Sequence, residues 1–192
     1  MADRRFNVES YIAALPAGLA SYPHCTSKMS SVRFQLQRRP LRRLADLPEE
    51  LVDLIRDPPV ATAWIPTTIF VATILAIESE HAISDAALAI ESTKDMLESP
   101  LYRFTLRMLS PATILRAGAA TWHLFHRGTT FKTRDVGGTI EATLEFPAML
   151  LPPPILEGFA AGFETISRAS WKDDAHVRLV EHGPRFGRYR LT

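Results

Sequence analysis

The sequence predicts an α+β fold, an N-terminal helical layer packed on a C-terminal antiparallel sheet built as hairpin, helix, hairpin. Three observations carry this expectation. Apolar residues recur at helical spacing from about residue 46 to residue 127. From residue 129 onward the dominant period falls to two, with one long helical stretch in between. The two kinds of element are segregated along the chain and do not alternate, which favours an antiparallel sheet covered on one face by helices.

Taken in order, residues 1–45 form a poorly defined N-terminal segment and residues 46–192 a single α+β domain. Residues 8–15 read as a short helix stopped by Pro16. Val32, Phe34 and Leu36 alternate with Arg33, Gln35 and Gln37, the period of a half-buried strand, although a helix fits the same stretch. Arg38, Arg39, Arg42 and Arg43 read as a solvated face. Pro48 suits a first helical turn, and Glu49 and Glu50 favour its positive end. Leu51, Leu54 and Ile55 make the apolar face of that helix, and Asp57-Pro58-Pro59 stops it. Trp64-Ile65-Pro66 opens a second helix through about Glu80, apolar nearly all round and therefore central. A third helix runs from about Ser84 to Glu98, with Ile83, Ala86, Ala87, Ile90 and Leu97 as its stripe. After Pro100 a shorter helix covers 102–109. Ser110-Pro111 restarts the chain as N-cap serine and first-turn proline. The following helix carries Ile114, Leu115, Gly118, Trp122 and Phe125 on one face, with Arg127 and Gly128 suited to its C-terminal end.

The strands then begin. Residues 129–134 and the alternating run Ile140, Ala142, Leu144 and Phe146 make a hairpin around Asp135-Val136-Gly137-Gly138. A long helix follows Pro152-Pro153-Pro154, with Ile155, Phe159, Gly162, Phe163 and Ile166 on one face. Strands at 176–181 and 186–191, joined by His182-Gly183-Pro184-Arg185, close the chain. Arg188 and Arg190 are placed to pair across the sheet with Glu141 and Glu145.

Composition narrows the function classes. The chain has 192 residues, 22 Lys+Arg against 21 Asp+Glu, and 46% hydrophobic residues, which argues against wholesale disorder and against a strongly basic nucleic-acid binder. The single cysteine, Cys25, cannot form an internal disulfide and fits a reducing cytoplasm. The longest apolar run, residues 69–77 with Thr73 inside it, is too short for a bilayer span of about 20 residues. The polar start Met-Ala-Asp-Arg-Arg-Phe-Asn does not read as a secretory signal. A cytoplasmic protein is expected, without a membrane span and without a nucleic-acid partner.

The ordered string Leu47-Pro48, Trp64-Ile65-Pro66, Ser99-Pro100-Leu101-Tyr102-Arg103, Leu109-Ser110-Pro111, Trp122, Arg127-Gly128, Leu144-Glu145-Phe146-Pro147 and Tyr189-Arg190-Leu191 resembles a paralogous family of uncharacterised proteins abundant in myxobacteria. The resemblance covers about residues 45–192. The final helix and hairpin also look like the end of the vinyl-reductase and Bet3-like trafficking-complex domains, ligand-binding or assembly modules with helices on an antiparallel sheet. The resemblance implies that fold and a non-catalytic role. It transfers no catalytic residue. The vinyl-reductase type carries cysteines near this end, some suited to metal; Cys25 lies far away, so no such site carries over.

Candidate sites are few. His123 and His126, three apart on the expected helix, share a face and with Trp122 and Phe125 form the ligand-binding candidates; in one reading they would ligate a metal or haem iron, in the other they complement the negative helix end or cover a core edge. No third metal ligand at zinc spacing accompanies them, so no metal site is expected. His176 and His182 flank a strand, lie on the same face of it if the alternation is unbroken, and read as a surface pair. No nucleophile elbow, phosphate loop or paired carboxylate at catalytic distance occurs. Leu156, Gly158, Ala160 and Gly162 make a small-residue groove, either packed within the chain or joining two copies as a homodimer. The expected function is a non-enzymatic binding or adaptor module of a cytoplasmic signalling or assembly system, with a protein partner or a small apolar ligand and no cofactor. The alternatives are a small-molecule or haem sensor with an apolar pocket between helices and sheet, and an enzyme whose site the sequence does not reveal.

Overall fold

Helical propensity and caps decide where the chain coils. The computed structural model describes residues 7–98, 109–169 and 174–192. Helix α1 (Val8–Ala14) starts at Asn7, whose side chain accepts from the Ser10 amide while the Ser10 hydroxyl accepts from the Asn7 amide. Strand β1 (Thr26–Lys28) follows, then α2 (Ser30–Arg38). The strand reading of 32–37 gives way to a helix because Val32 and Leu36, four apart, both face the core. Gln35, assigned to a polar face by alternation, is 1% exposed and donates to the Leu88 carbonyl and the Ser92 hydroxyl.

Helix α3 (Glu49–Arg56), the short strand β2 (Trp64–Pro66) and helix α4 (Thr67–His81) come next. Ten residues of α4 are buried, and α1, α2 and α3 pack around it, so the uniformly apolar helix is central as its sequence implies. Helix α5 (Asp85–Glu98) buries Asp85 and Leu88 and not the stripe expected from periodicity. The helix expected at 102–109 lies, but for Leu109, outside the described residues. Helix α6 (Pro111–Thr121) begins as expected, with the Ser110 hydroxyl accepting from the Thr113 amide.

The described residues form two antiparallel sheets. One has three short strands in the order β2-β1-β3, with β3 spanning His126–Arg127. The other has four in the order β4-β5-β7-β6, where β4 is Thr130–Val136, β5 Thr139–Glu145, β6 Val177–Gly183 and β7 Phe186–Leu191. Helix α7 (Pro153–Arg168) separates the two hairpins. Gly137 and Gly138 both take positive φ (57° and 85°), which a tight two-residue turn between Val136 and Thr139 requires. A bulge between Leu179 and Glu181 breaks the alternation of β6, and His176 lies before the strand, so His176 and His182 do not share a strand face.

Helix α7 meets the four-stranded sheet on one side and α5 on the other. The N-terminal residues are part of the same core. Tyr11, Cys25, Met29 and Val32 are fully buried, and the Tyr11 hydroxyl donates to the Leu150 carbonyl at 2.9 Å. The outer sheet face is ionic. Glu141 accepts from Arg134 at 2.6 Å and from Arg190 at 3.0 Å, and the Arg134 hydrogen bond holds its carboxyl below the usual range. Arg188 pairs with Glu181, while Glu145 pairs with Lys132 at 2.9 Å. The expected Arg190–Glu141 pair forms across the strands; Arg188 and Glu145 find other partners.

Candidate functional site

The residues after α6 do not continue its helix. Trp122–Leu124 tighten into a 3₁₀ turn, and His126 already belongs to β3. His123 and His126 therefore do not share a helix face. His123 is exposed, as are Leu124 (51%) and Phe125 (49%), whereas His126 turns inward. Trp122 is 8% exposed, and its indole N–H donates to the Thr129 hydroxyl at 2.9 Å. Its ring stacks on His126 (centroids 4.1 Å apart, 23° between planes) and meets Phe131 at 5.2 Å and Phe159 at 5.4 Å. Phe163 extends the cluster from Phe131 (4.9 Å) to Tyr189 (5.6 Å). At this end the space between α7 and the sheet is filled by rings, and the binding quartet of Trp122, His123, Phe125 and His126 splits into two core and two surface residues.

The short strands bring two further groups to His126. Its Nδ1 lies 3.1 Å from the Ser27 hydroxyl, which lies 3.0 Å from the Thr67 hydroxyl. Burial lowers the imidazole pKa to about 4, so it is neutral at physiological pH. A serine beside a histidine has the spacing of a nucleophile and its base. Ser27, however, is 0% exposed, and the third group is a hydroxyl and not a carboxylate. The chain of Thr67, Ser27 and His126 satisfies buried polar atoms where β1, β3 and α4 meet. Sequence reasoning missed Ser27 and Thr67 because strands of two or three residues have no period to read.

The small residues of α7 face inward. Leu156 is 1% exposed and Ala160 7%. A Cβ on Gly158 would sit 2.0 Å from Asp85 Oδ2, and one on Gly162 would sit 3.5 Å from Thr93 Oγ1. The groove receives α5 of the same chain. Leu156 lies under β7, its Cδ2 only 3.1 Å from where a Cβ of Gly187 would be. Leu156, Gly158 and Ala160 thus pack within the chain.

Asp85 is the buried carboxyl of this region. Burial pushes its pKa well above the ordinary value, and the nearby Glu78 and Glu157 add to the effect. Burial also raises Glu78, which accepts the Asp85 amide. The Tyr189 hydroxyl, on β7, is buried without a hydrogen-bond partner among the described residues, and its pKa is raised by burial and by Asp85. Among the described residues no group of three or more His, Cys, Asp or Glu is placed to hold a metal. None of the described helices is long and apolar enough to cross a membrane.

One open groove of about 960 Å³ runs between α5, α7 and β6. Ile90, Leu97, Ala160, Ala161, Val177 and Leu179 make its apolar lining. Lys94, Glu157, Glu164, Arg168 and Arg178 supply its charged side chains, and His182 also lines it. Glu164 is committed to Arg168 at 2.8 Å and to the Val177 amide at 3.0 Å. The groove has the size of a small-molecule site, and its lining mixes apolar surface with a few polar anchors. Neither a family model, nor a curated protein, nor a solved structure matches this chain.

Proposed function

We propose that this chain is a non-enzymatic binding module, an adaptor in an assembly or signalling system, that takes a small, largely apolar ligand in the groove between α5, α7 and β6. The observation that carries the reading is the groove itself, about 960 Å³ and lined by both apolar and charged side chains. Rigid helices and a sheet strand frame it, so a ligand would meet a preformed surface. The resemblance to ligand-binding and assembly domains points the same way. The groove is favoured over a haem site at His126 because that imidazole is stacked under Trp122 with Nδ1 engaged by Ser27.

The test uses the apolar anion 1-anilinonaphthalene-8-sulfonate on native protein. Saturable fluorescence enhancement is expected in the parent. Ala161→Trp, which fills the groove from α7, should abolish it while the circular dichroism spectrum and melting curve are retained. Equal dye binding by a folded Ala161→Trp variant would refute the groove as the site.

A further inference from the structure

The three-stranded sheet has one face turned to the core and one turned outward. Ser27, Ile65 and His126 point in. Alternation therefore sends Lys28, Trp64 and Arg127 to the other face. There the Lys28 ammonium lies 4.0 Å and the Arg127 guanidinium 3.9 Å from the centroid of the same Trp64 ring. Lys28 spends one N–H on the Thr62 carbonyl. Among the described residues Arg127 makes no side-chain hydrogen bond, and neither cation has a carboxylate partner. The Lys28 amide bonds the Phe125 carbonyl, which sets Phe125 beside Lys28 with half its ring exposed, next to the exposed Leu124.

We infer that this outer face, formed by Lys28, Trp64, Arg127 and Phe125, is a docking surface for an acidic segment of a protein partner that also carries apolar side chains. Charge complementarity carries the assignment. Two cations are held against one indole with no ion pair to an acid among the described residues, on a chain whose net charge is only +1. An indole covers the flat face of a guanidinium and leaves its N–H edge for bidentate contact with a carboxylate. The exposed Phe125 lies beside Lys28 and would lose water on contact with an apolar neighbour of the acids. A nucleic acid fits less well. Cations already cover the Trp64 ring, so it offers no platform for stacked bases, and two cations engage few phosphates. The inference is independent of the α5–α7–β6 groove, which lies on other elements.

The test is an NMR titration of the ¹⁵N-labelled chain with the acetylated peptide Glu-Asp-Phe-Glu-Leu-Asp and with its charge-reversed counterpart Lys-Arg-Phe-Lys-Leu-Arg. The acidic peptide should shift the Trp64 indole N–H and the Lys28 and Phe125 amides saturably, and the basic one should not. Affinity should fall about tenfold or more in Arg127→Glu, and by a smaller factor in Arg127→Gln and in Phe125→Ser. It should also weaken steeply as salt is raised, because the surface is exposed. Equal binding of both peptides, or unchanged affinity in either folded Arg127 variant, would overturn the proposal. So would a thymidine oligonucleotide or phosphatidylserine vesicles that shift the same signals more tightly than the acidic peptide does. The Ala161→Trp variant should bind the peptide like the parent, which separates failure here from failure of the groove.

Discussion

Two helix glycines, Gly118 and Gly158, should respond to alanine with opposite signs. Glycine inside a helix costs roughly 0.5–1 kcal/mol relative to alanine, so replacement normally stabilises. Gly118, within α6, has nothing within 4 Å of a new Cβ, and Gly118→Ala should gain about that amount. In Gly158 the same methyl would lie 2.0 Å from Asp85 Oδ2 and 2.6 Å from its Cγ. Ordinary contact is about 3.5–4 Å, so the carboxyl or the two helices must separate by more than an ångström. Asp85 has little room to move, being 8% exposed at the first turn of α5. Overpacking of this kind costs about 1–3 kcal/mol, which exceeds the propensity gain. For a chain of this length that is a drop of roughly 2–10 °C in melting temperature. Thermal and urea unfolding followed by circular dichroism measures both variants. Shortening the partner should remove the penalty, so that in an Asp85→Ala background Gly158→Ala becomes neutral or stabilising. If Gly158→Ala melts at or above the parent temperature, α5 and α7 do not meet at this glycine and the internal role given to the small-residue groove is wrong.

Trp122→Ala should cost about 3–5 kcal/mol, because it removes a buried ring that touches His126, Phe131 and Phe159 and leaves Thr129 without its donor. The same variant admits water to His126, so the imidazole should titrate above its present pKa of about 4 when followed by NMR. In the parent this depressed value makes stability full above pH 6.5 and progressively lost as pH falls toward 4, a loss of about 3 kcal/mol by linkage. Asp85 has the opposite sign. Its raised pKa means that the folded chain holds a proton the unfolded chain releases above 3.8, so this contribution is present at low pH and lost as pH rises. Asp85→Asn should therefore be more stable than the parent at pH 7 in urea unfolding, with the difference closing below pH 3.8; no difference at pH 7 would mean the carboxyl is solvated.

Elements announced by long patterns or by capping chemistry were legible before folding. Ser110-Pro111, the alternation at 139–145, the Gly137-Gly138 turn and the uniformly apolar α4 each appear where the residues imply. What the sequence hid was built from short pieces or from tertiary choice. The three-stranded sheet uses strands of three, three and two residues, below any readable period, so its inward row of Ser27 and His126 could not be foreseen. Helix α2 was ambiguous because six residues of alternation fit two periods, and burial of Gln35 against α5 decided it. The stripe of α5 was misread because the helix buries a polar residue, Asp85, against a glycine on α7, a partner that only the fold supplies. The small residues at 156–162 were recognised as a groove, but nothing local says whether the mating helix belongs to the same chain.

The passage from one sheet to the other explains why surface and core residues interleave so closely between Trp122 and Phe131. Gly128 carries the chain from β3 to β4 with φ of 72°, and a Cβ there would lie 2.5 Å from Cys25 Sγ and 2.9 Å from Cys25 Cα. The cysteine needs no redox role to account for its place. Its thiol, 1% exposed and with its pKa raised by burial, donates to the Gly128 carbonyl and fills the corner that only glycine leaves open. With the backbone pinned at that point, strand alternation dictates the rest. His126 must point in, under Trp122, so Arg127 must point out, over Trp64. The aromatic core and the outward cation over Trp64 thus meet in successive residues of one two-residue strand. Loosening the inner side chain, as in Trp122→Ala, should blur the position of Arg127 and weaken acidic-peptide binding even though Trp122 never touches the peptide. An unchanged peptide affinity in a folded Trp122→Ala variant would show that the outer face holds its geometry without the core beneath it.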